Sequence, residues 1–377
     1  MKVMIVVTHL LGTGHLARAL TLARAFAKAG DTPCVVSGGA PVPLFSHTGM
    51  RFEQLPPVRS DGVDFSRLLS PSGALMTEED MNIRKRMLLG IYADFSPDLL
   101  ITELFPFGRR ILRDEFQALL ALAKTSTTPP LICASIRDIL APPSKPKKAV
   151  FADDMVAHFY DAVLVHSDAD LTPLDLSWPV TPTLSPKLQY TGFVAPKAAA
   201  PHPNAAGKGE VIVSAGGGDV GTPVYEAAVA AAAQIEHPMR ILVGGAAPQA
   251  RIAALLAGAP INVVIEPARK DFRQMLTHAA ASVSLCGYNT ALDILQAGTP
   301  AVFIPFDEGN EVEQGIRAQA LAQKENIVNL QRADLTAETL SAAITAVIAA
   351  PHRNDRQPNF DGAEETVRMA HRLRAQQ

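Results

Sequence analysis

Short apolar runs alternate with glycine turns and helical repeats along the chain. The first run, Val3–Val7, is followed by Gly12 and Gly14 and then by apolar residues that recur every three or four positions. A short continuous apolar run is typical of a buried strand, and the spacing that follows it is typical of an amphipathic helix. Because this unit recurs, the pattern predicts βα units and parallel sheets.

The amino-terminal half contains further strands by the same criterion. A helical repeat covers Gly108–Lys124, whereas Pro56–Met81 is rich in turn formers and predicts a long loop near a site. The predicted strands are Pro33–Ser37, Leu99–Thr102, Leu131–Ser135, Ala162–Val165 and Leu188–Thr191.

Ala195–Gly209 interrupts this rhythm with proline, alanine and glycine and predicts a linker. The βα pattern then restarts, which predicts four segments: a domain over residues 1–195, a linker over 196–208, a second domain over 209–350, and a tail helix over 351–377 that packs back on the first domain. The fold class is therefore α/β, with two Rossmann-like, doubly wound domains that face an interdomain cleft. The second domain has predicted strands at Glu210–Ser214, Arg240–Val243, Asn262–Ile265, Ser282–Leu285, Ala301–Ile304 and Ile327–Asn329, and predicted helices at Pro248–Leu256, Asp271–Ala280, Thr290–Ala297, Glu311–Lys324 and Ala337–Ala349.

Composition narrows the range of partners. The chain has 377 residues and a formal net charge of −3, which argues against nucleic acid as a partner. Its 3 cysteines are far apart, so buried thiols are expected in place of a zinc site. No apolar run is long enough to span a membrane, which leads us to expect a cytoplasmic protein whose membrane association is at most peripheral.

The turn from Thr8 to His15 is the first candidate for chemistry. Gly14 leaves room for a ligand and opens a helix, whose free N–H groups attract anions. His15 follows at the helix start, where an imidazole can accept a proton from an acceptor hydroxyl near neutral pH. A structural or capping role for His15 is the alternative. The glycine spacing is not GxGxxG, which disfavours a dinucleotide.

A general base commonly needs an orienting carboxylate, and two strand ends supply one. Glu103 ends one predicted strand, and Arg137 and Asp138 follow another. Glu103 is the candidate partner of His15, and Arg137 and Asp138 are candidates for an acceptor site. Simple ion pairs at the strand ends are the alternative for these residues.

The second half carries two glycine turns suited to a diphosphate. Gly216, Gly217 and Gly218 lie between a strand and a helix, so their backbone N–H groups can bind phosphate oxygens. The other turn places Gly287, Asn289 and Thr290 at a helix start.

Acidic and amide side chains follow the second turn. Asp293 lies one helical turn further on, within reach of ribose hydroxyls, and Glu313 and Gln314 open the next helix, where they would meet sugar hydroxyls. Arg317 is on the same face as Glu313 and can pair with it.

These motifs resemble those of a known family. CGYNTALDILQAGTPAVFIPF followed by EQGIRA is similar to the donor domain of GT-B glycosyltransferases, and of the lipid-linked N-acetylglucosaminyltransferases of peptidoglycan synthesis in particular. GTGH matches their glycine-rich loop with its histidine, and ITELFPFGRR and SIRDIL resemble a bacterial group of predicted glycosyltransferases.

The resemblance implies an inverting, metal-independent transfer from a nucleoside-diphosphate sugar, with UDP as the family default and no cofactor. By position, Asp293 replaces the ribose-binding glutamate, Glu313 and Gln314 hold the sugar, Arg317 replaces an asparagine, and His15 is the proposed base. Two alternatives use the same fold. A nucleotide-sugar epimerase or hydrolase could employ Glu103, Asp138 and Glu313, and a non-catalytic protein could simply bind a nucleotide sugar.

Overall fold

A computed structural model gives the structure of residues 1–10, 12–60, 67–216, 218, 220–309, 311–350 and 357–377. The contacts divide the chain into two compact units. Unit 1 comprises Met1–Val194 and Asp361–Gln377, and unit 2 comprises Ala195–Phe360.

Unit 1 is built on a sheet of seven parallel strands in the order β3-β2-β1-β6-β7-β8-β9. The strand order reverses direction between β1 and β6, as at the switch point of a Rossmann-like sheet. A separate antiparallel pair, β4 and β5, lies outside this sheet. The strands are β1 (Lys2–Val7), β2 (Thr32–Ser37), β3 (Arg51–Gln54), β4 (Arg59–Ser60), β5 (Leu68–Leu69), β6 (Leu99–Glu103), β7 (Leu131–Arg137), β8 (Ala162–His166) and β9 (Leu188–Tyr190).

Unit 2 repeats the design with six parallel strands in the order β12-β11-β10-β13-β14-β15. Its strand order reverses direction between β10 and β13, so each unit has one switch point. The strands are β10 (Val211–Ser214), β11 (Met239–Val243), β12 (Val263–Pro267), β13 (Ala281–Ser284), β14 (Ala301–Phe303) and β15 (Ile327–Asn329).

Helices cover the sheets of both units, α1–α4 and α11 in unit 1 and α5–α10 in unit 2. The apolar stripe of α1 that the sequence predicts is buried, and part of it packs against Ala363, Val367 and Ala370 of α11. The helices are α1 (Gly14–Lys28), α2 (Glu78–Phe95), α3 (Arg113–Lys124), α4 (Pro146–Phe159), α5 (Thr222–Ala231), α6 (Gln249–Leu256), α7 (Phe272–Leu276), α8 (Tyr288–Ala297), α9 (Glu313–Leu321), α10 (Ala337–Ala349) and α11 (Gly362–Arg374).

The prediction of two Rossmann-like α/β domains is confirmed, and every predicted strand is present to within two residues. The helix predicted over Gly108–Lys124 begins only at Arg113, because Arg109 has a left-handed backbone with φ of 56° and a short 3-10 turn follows it. The loop predicted over Pro56–Met81 is wrong at its end. There Thr77 and Asp80 form a capping box that starts α2.

The predicted linker has no regular structure, yet polar contacts fix it to unit 2. His202 Nε2 lies 3.0 Å from Asp271 Oδ2. Gln296 donates to the carbonyl of Pro196 at 3.0 Å, and Arg273 donates to that of Lys197 at 2.8 Å. The composition of the linker did not predict these contacts, because two of the three use its backbone carbonyls and only His202 contributes a side chain.

Candidate functional site

His15 and Glu103 meet at the switch point of unit 1. His15 is the second residue of α1, which follows β1, and Glu103 is the last residue of the neighbouring strand β6. The distance from His15 Nδ1 to Glu103 Oε1 is 2.9 Å, and the glutamate side chain is only 1% exposed. Of the two carboxylates weighed from the sequence, Glu103 is therefore the one that contacts His15.

Arg18, one turn along α1, donates to the same Glu103 oxygen and lies 3.2 Å from His15 Nδ1. An arginine can only donate, so the contacts of Arg18 and Glu103 favour opposite tautomers of His15. We assign the Nδ1 proton to His15, since the contact with the carboxylate is shorter, 2.9 Å against 3.2 Å, and Arg18 already donates to Glu103. This tautomer leaves the lone pair on Nε2.

Charges and burial set the protonation of the pair. Burial lowers the pKa of His15 to about 4, although the bond with Glu103 opposes this shift. Burial alone would raise the pKa of Glu103, but Arg18, His15 and Ser135 outweigh it and hold that pKa below its usual range. At neutral pH the site therefore holds a neutral imidazole beside an ionised carboxylate.

A second set of hydrogen bonds reaches Glu103 from the opposite side. Ser135 Oγ donates to Glu103 Oε2 at 2.6 Å and lies 2.9 Å from His166 Nε2. His166 Nδ1 in turn lies 2.8 Å from Thr191 Oγ1. These side chains come from β7, β8 and the residue after β9, and all are buried.

The remaining candidates of unit 1 lie at the same edge of the sheet. Gly14 is the first residue of α1, whose N-cap Thr13 makes no side-chain capping hydrogen bond with any described residue. Arg137 ends β7 and donates to the carbonyl of Ile139 at 3.1 Å, and Asp138 is buried directly after it. Arg109, from the loop after β6, donates to the carbonyl of Thr8 at 2.5 Å.

The switch point of unit 2 is formed by the two predicted glycine turns. Gly216 and Gly218 follow β10, and Gly287 follows the neighbouring strand β13. Gly217 lies outside the described residues. Sequence reasoning missed Gly221 at the start of α5, where a Cβ atom would come within 2.1 Å of the Ala215 side chain.

Gly287 is the N-cap of α8, and within the described part of the chain no side chain caps this helix, which leaves N–H groups of its first turn available to a ligand. Asn289 and Thr290 lie in that turn. Arg317 positions the loop before it: its guanidinium donates to the carbonyl of Cys286 at 2.9 Å and stacks over the ring of Tyr288. The arrangement can bind an anion.

Asp293 is engaged by a residue that the sequence did not single out. Arg273 Nε donates to Asp293 Oδ1 at 2.7 Å, and the same arginine donates to Gln296. Burial raises the pKa of Asp293, and Arg273 acts against that shift. Asp293 and Arg273 also line a small cavity with Thr277 and Gln296.

Glu313 and Gln314 open α9, as the sequence suggests, and a third residue caps the helix. Glu311 Oε1 accepts from the backbone N–H groups of Glu313 and Gln314 at 2.7 and 3.1 Å. The Gln314 side chain accepts from the backbone N–H of Phe306 at 3.2 Å, which ties α9 to the loop after β14.

Comparison with solved structures identifies the fold as GT-B. The chain superposes over 100% of its length on MurG from Acinetobacter baumannii, covering 98% of that chain with a TM-score of 0.63 at 15% identity. It superposes on the glycosyltransferase VinC in complex with dTDP with a TM-score of 0.62 at 16% identity, covering 100% of both chains.

Residues 226–373 match the model of the glycosyltransferase family 28 C-terminal domain, which confirms the resemblance noted for this part of the chain. Curated relatives include UDP-N-acetylglucosamine--N-acetylmuramyl-(pentapeptide) pyrophosphoryl-undecaprenol N-acetylglucosamine transferases. The Streptomyces coelicolor enzyme is 35% identical over 83 residues, 22% of each chain. The Bartonella quintana enzyme is 27% identical over 97 residues, 26% of each chain. The alignment thus spans about a quarter of these relatives' length. No described helix is long and apolar enough to cross a membrane.

Proposed function

We propose that the protein is a glycosyltransferase that moves a sugar from a nucleoside-diphosphate sugar to an acceptor hydroxyl. The observation that carries the proposal is the contact of His15 with buried Glu103 at the switch point of a GT-B domain. A neutral imidazole with an orienting carboxylate is the arrangement that general-base catalysis requires.

In the proposed reaction, His15 Nε2 removes the proton of the acceptor hydroxyl. The acceptor oxygen bonds to the anomeric carbon from one face, while the bond to the diphosphate breaks on the other and its electron pair leaves with the nucleoside diphosphate. The configuration is therefore inverted. Glu103 stabilises the imidazolium as it forms, which matters because a base with a pKa of about 4 is intrinsically weak.

Unit 2 would bind the donor through its own switch point. The glycine turn at Gly216–Gly218 and the uncapped start of α8 at Gly287, Asn289 and Thr290 would hold the diphosphate by backbone N–H groups. Asp293 would accept from the ribose, and Glu313 and Gln314 would contact the sugar. UDP is the proposed nucleotide because it occurs in the names of the curated relatives.

Binding of the donor can be tested apart from catalysis. We expect isothermal titration to detect UDP-sugars ahead of GDP- and dTDP-sugars. Asp293→Asn is expected to weaken binding about tenfold or more, since it removes the charge of a ribose acceptor. Its lost ion pair with Arg273 is partly exposed and contributes little to stability. The proposal fails if no nucleotide sugar binds to the wild-type protein.

Catalysis is tested by release of nucleoside diphosphate with a panel of alcohol, phenol and sugar acceptors. His15→Ala is expected to keep donor affinity and to lower kcat about 10²- to 10⁴-fold, the usual contribution of a general base. His158→Ala is the matched control, because His158 is an exposed histidine of the same unit whose ring nitrogen bonds to the carbonyl of Asp154. Conversion of the donor sugar without an acceptor would instead indicate an epimerase or hydrolase.

A further inference from the structure

A buried series of hydrogen bonds, called here the hydrogen-bond chain, links Thr191, His166, Ser135 and Glu103 and extends the candidate site across four neighbouring strands. We propose that Ser135 and His166 are positioning residues, which orient Glu103 and thereby fix the His15 tautomer that exposes the Nε2 lone pair. The catalytic consequence of this proposal rests on the proposed function, whereas its structural claim concerns only the tautomer of His15.

The carboxylate determines the direction of the chain. Ionised Glu103 can only accept, so the 2.6 Å contact with Ser135 requires the serine proton. A hydroxyl has one proton, and Ser135 must therefore accept from His166 Nε2 at 2.9 Å. This places a proton on His166 Nε2.

The direction of the hydrogen bond between His166 and Thr191, at the far end of the hydrogen-bond chain, follows from the charge of His166. Burial lowers the pKa of His166 to about 3, and Arg18 acts in the same direction, so the ring is neutral. Its Nδ1 then accepts from Thr191 Oγ1 at 2.8 Å. The Thr191 hydroxyl also lies 2.9 Å from the carbonyl of Gly192, and we assign its single proton to the shorter contact, with His166. Every donor in the chain points toward Glu103.

Ser135 determines which carboxylate oxygen is available to His15. Arg18 and His15 both contact Oε1, and Ser135 holds Oε2, so the plane of the carboxylate is fixed from both sides. The other charged group facing this site is Arg109, from the loop after β6. Without Ser135, Glu103 could rotate to pair with either arginine, and His15 Nδ1 could accept from Arg18 instead of donating to Glu103.

The position of the hydrogen-bond chain within the sheet argues against a purely structural role for Ser135 and His166. Ser135 lies directly opposite Glu103 in the parallel ladder, and the neighbouring positions of β6–β8 are almost all buried apolar residues. Polar groups in such a place cost free energy that well-packed apolar side chains would not. Ser37, at the end of β2 in the same sheet, is a contrasting buried serine whose hydroxyl has no hydrogen-bond partner among the residues that the structure describes.

The test compares Ser135→Ala and His166→Phe, which interrupt the chain, with Ser37→Ala as the matched control. Ser135→Thr keeps the hydroxyl, and His166→Gln keeps a donor for Ser135 and an acceptor for Thr191, so both should rescue. Long-range ¹H–¹⁵N spectra of histidine-labelled full-length protein report the tautomer of each ring. We expect His15 to be protonated at Nδ1 in the wild type, the control and the rescue variants, and to lose this tautomer in Ser135→Ala.

The kinetic arm measures the acid limb of the pH profile of kcat/KM. Loss of a hydrogen bond to a carboxylate makes the His15–Glu103 pair easier to protonate, so the limb should move up by about one to two pH units. Donor KM should not change. Unaltered His15 spectra in Ser135→Ala would overturn the positioning role. If wild-type protein shows the expected tautomer but no transfer with any acceptor, the proposed function fails while the positioning role stands.

Discussion

Acid should destabilise unit 1 through His15 and His166, two histidines that the fold holds in their neutral form. The pKa values of His15 and His166 in the folded protein are about 4 and about 3, below the ordinary value of 6.5. The unfolded chain therefore binds protons first as the pH falls. The stability that these neutral rings contribute is fully present above about pH 6.5 and is lost as the pH falls toward the folded pKa values.

The size of this loss follows from the same pKa values. Each ring that is protonated only in the unfolded state contributes about 1.4 kcal/mol per pH unit. Between pH 7.5 and 5, His15 and His166 together should cost about 4 kcal/mol, half from each ring. His166→Gln cannot titrate in this range and should lose only about 2 kcal/mol from this source.

Urea unfolding at both pH values measures the difference. Trp178 is the only tryptophan of the chain and is buried in unit 1 against Phe107, so its fluorescence reports this unit alone. Subtracting the variant from the wild type cancels the other ionisable groups. Equal pH dependence of the free energy of unfolding in the two proteins would refute the claim that His166 is buried in its neutral form.

Two further predictions concern stability. Arg84 and Glu115 form a fully buried ion pair with side chains 0% and 1% exposed. Arg84→Met leaves the glutamate buried without its partner and should cost about 3 to 5 kcal/mol of unfolding free energy in the same fluorescence assay. Arg240→Met, which breaks the part-exposed ion pair of Arg240 with Glu210, is the comparison and should cost much less by calorimetry. Gly298 ends α8 with φ of 71° in open space, so Gly298→Ala should cost about 1 to 2 kcal/mol through backbone strain alone; an unchanged thermal midpoint would show that the backbone relaxes.

The order of strands and helices was predictable because short apolar runs alternate with glycine turns and helical repeats along the chain. The predictions were wrong where tertiary contacts or single dihedral angles decide. Arg109 delays α3 through its left-handed backbone, which no local pattern signals. The capping box at Thr77 could have revealed α2, since a threonine three residues before an aspartate is readable in the sequence.

The residues of the candidate site differ in the same way in how far the sequence predicts them. His15 and Glu103 were predictable because Glu103 ends a strand and His15 opens the helix after the neighbouring strand, at the sheet edge where open α/β sheets bind ligands. Ser135 and His166 were not, since their roles depend on the register between strands, which the sequence of any single strand does not contain. Arg273 reaches Asp293 from a different helix, so its contact is likewise visible only in three dimensions.

The return of the chain to unit 1 has a consequence for synthesis. Unit 2 is one continuous stretch, whereas unit 1 needs α11, which is made only after the whole of unit 2. Domains generally fold as units as they emerge. Until residues 361–377 are made, Leu16 and its apolar neighbours on α1 lack part of their cover, so nascent unit 1 stays incomplete while unit 2 can already close its sheet.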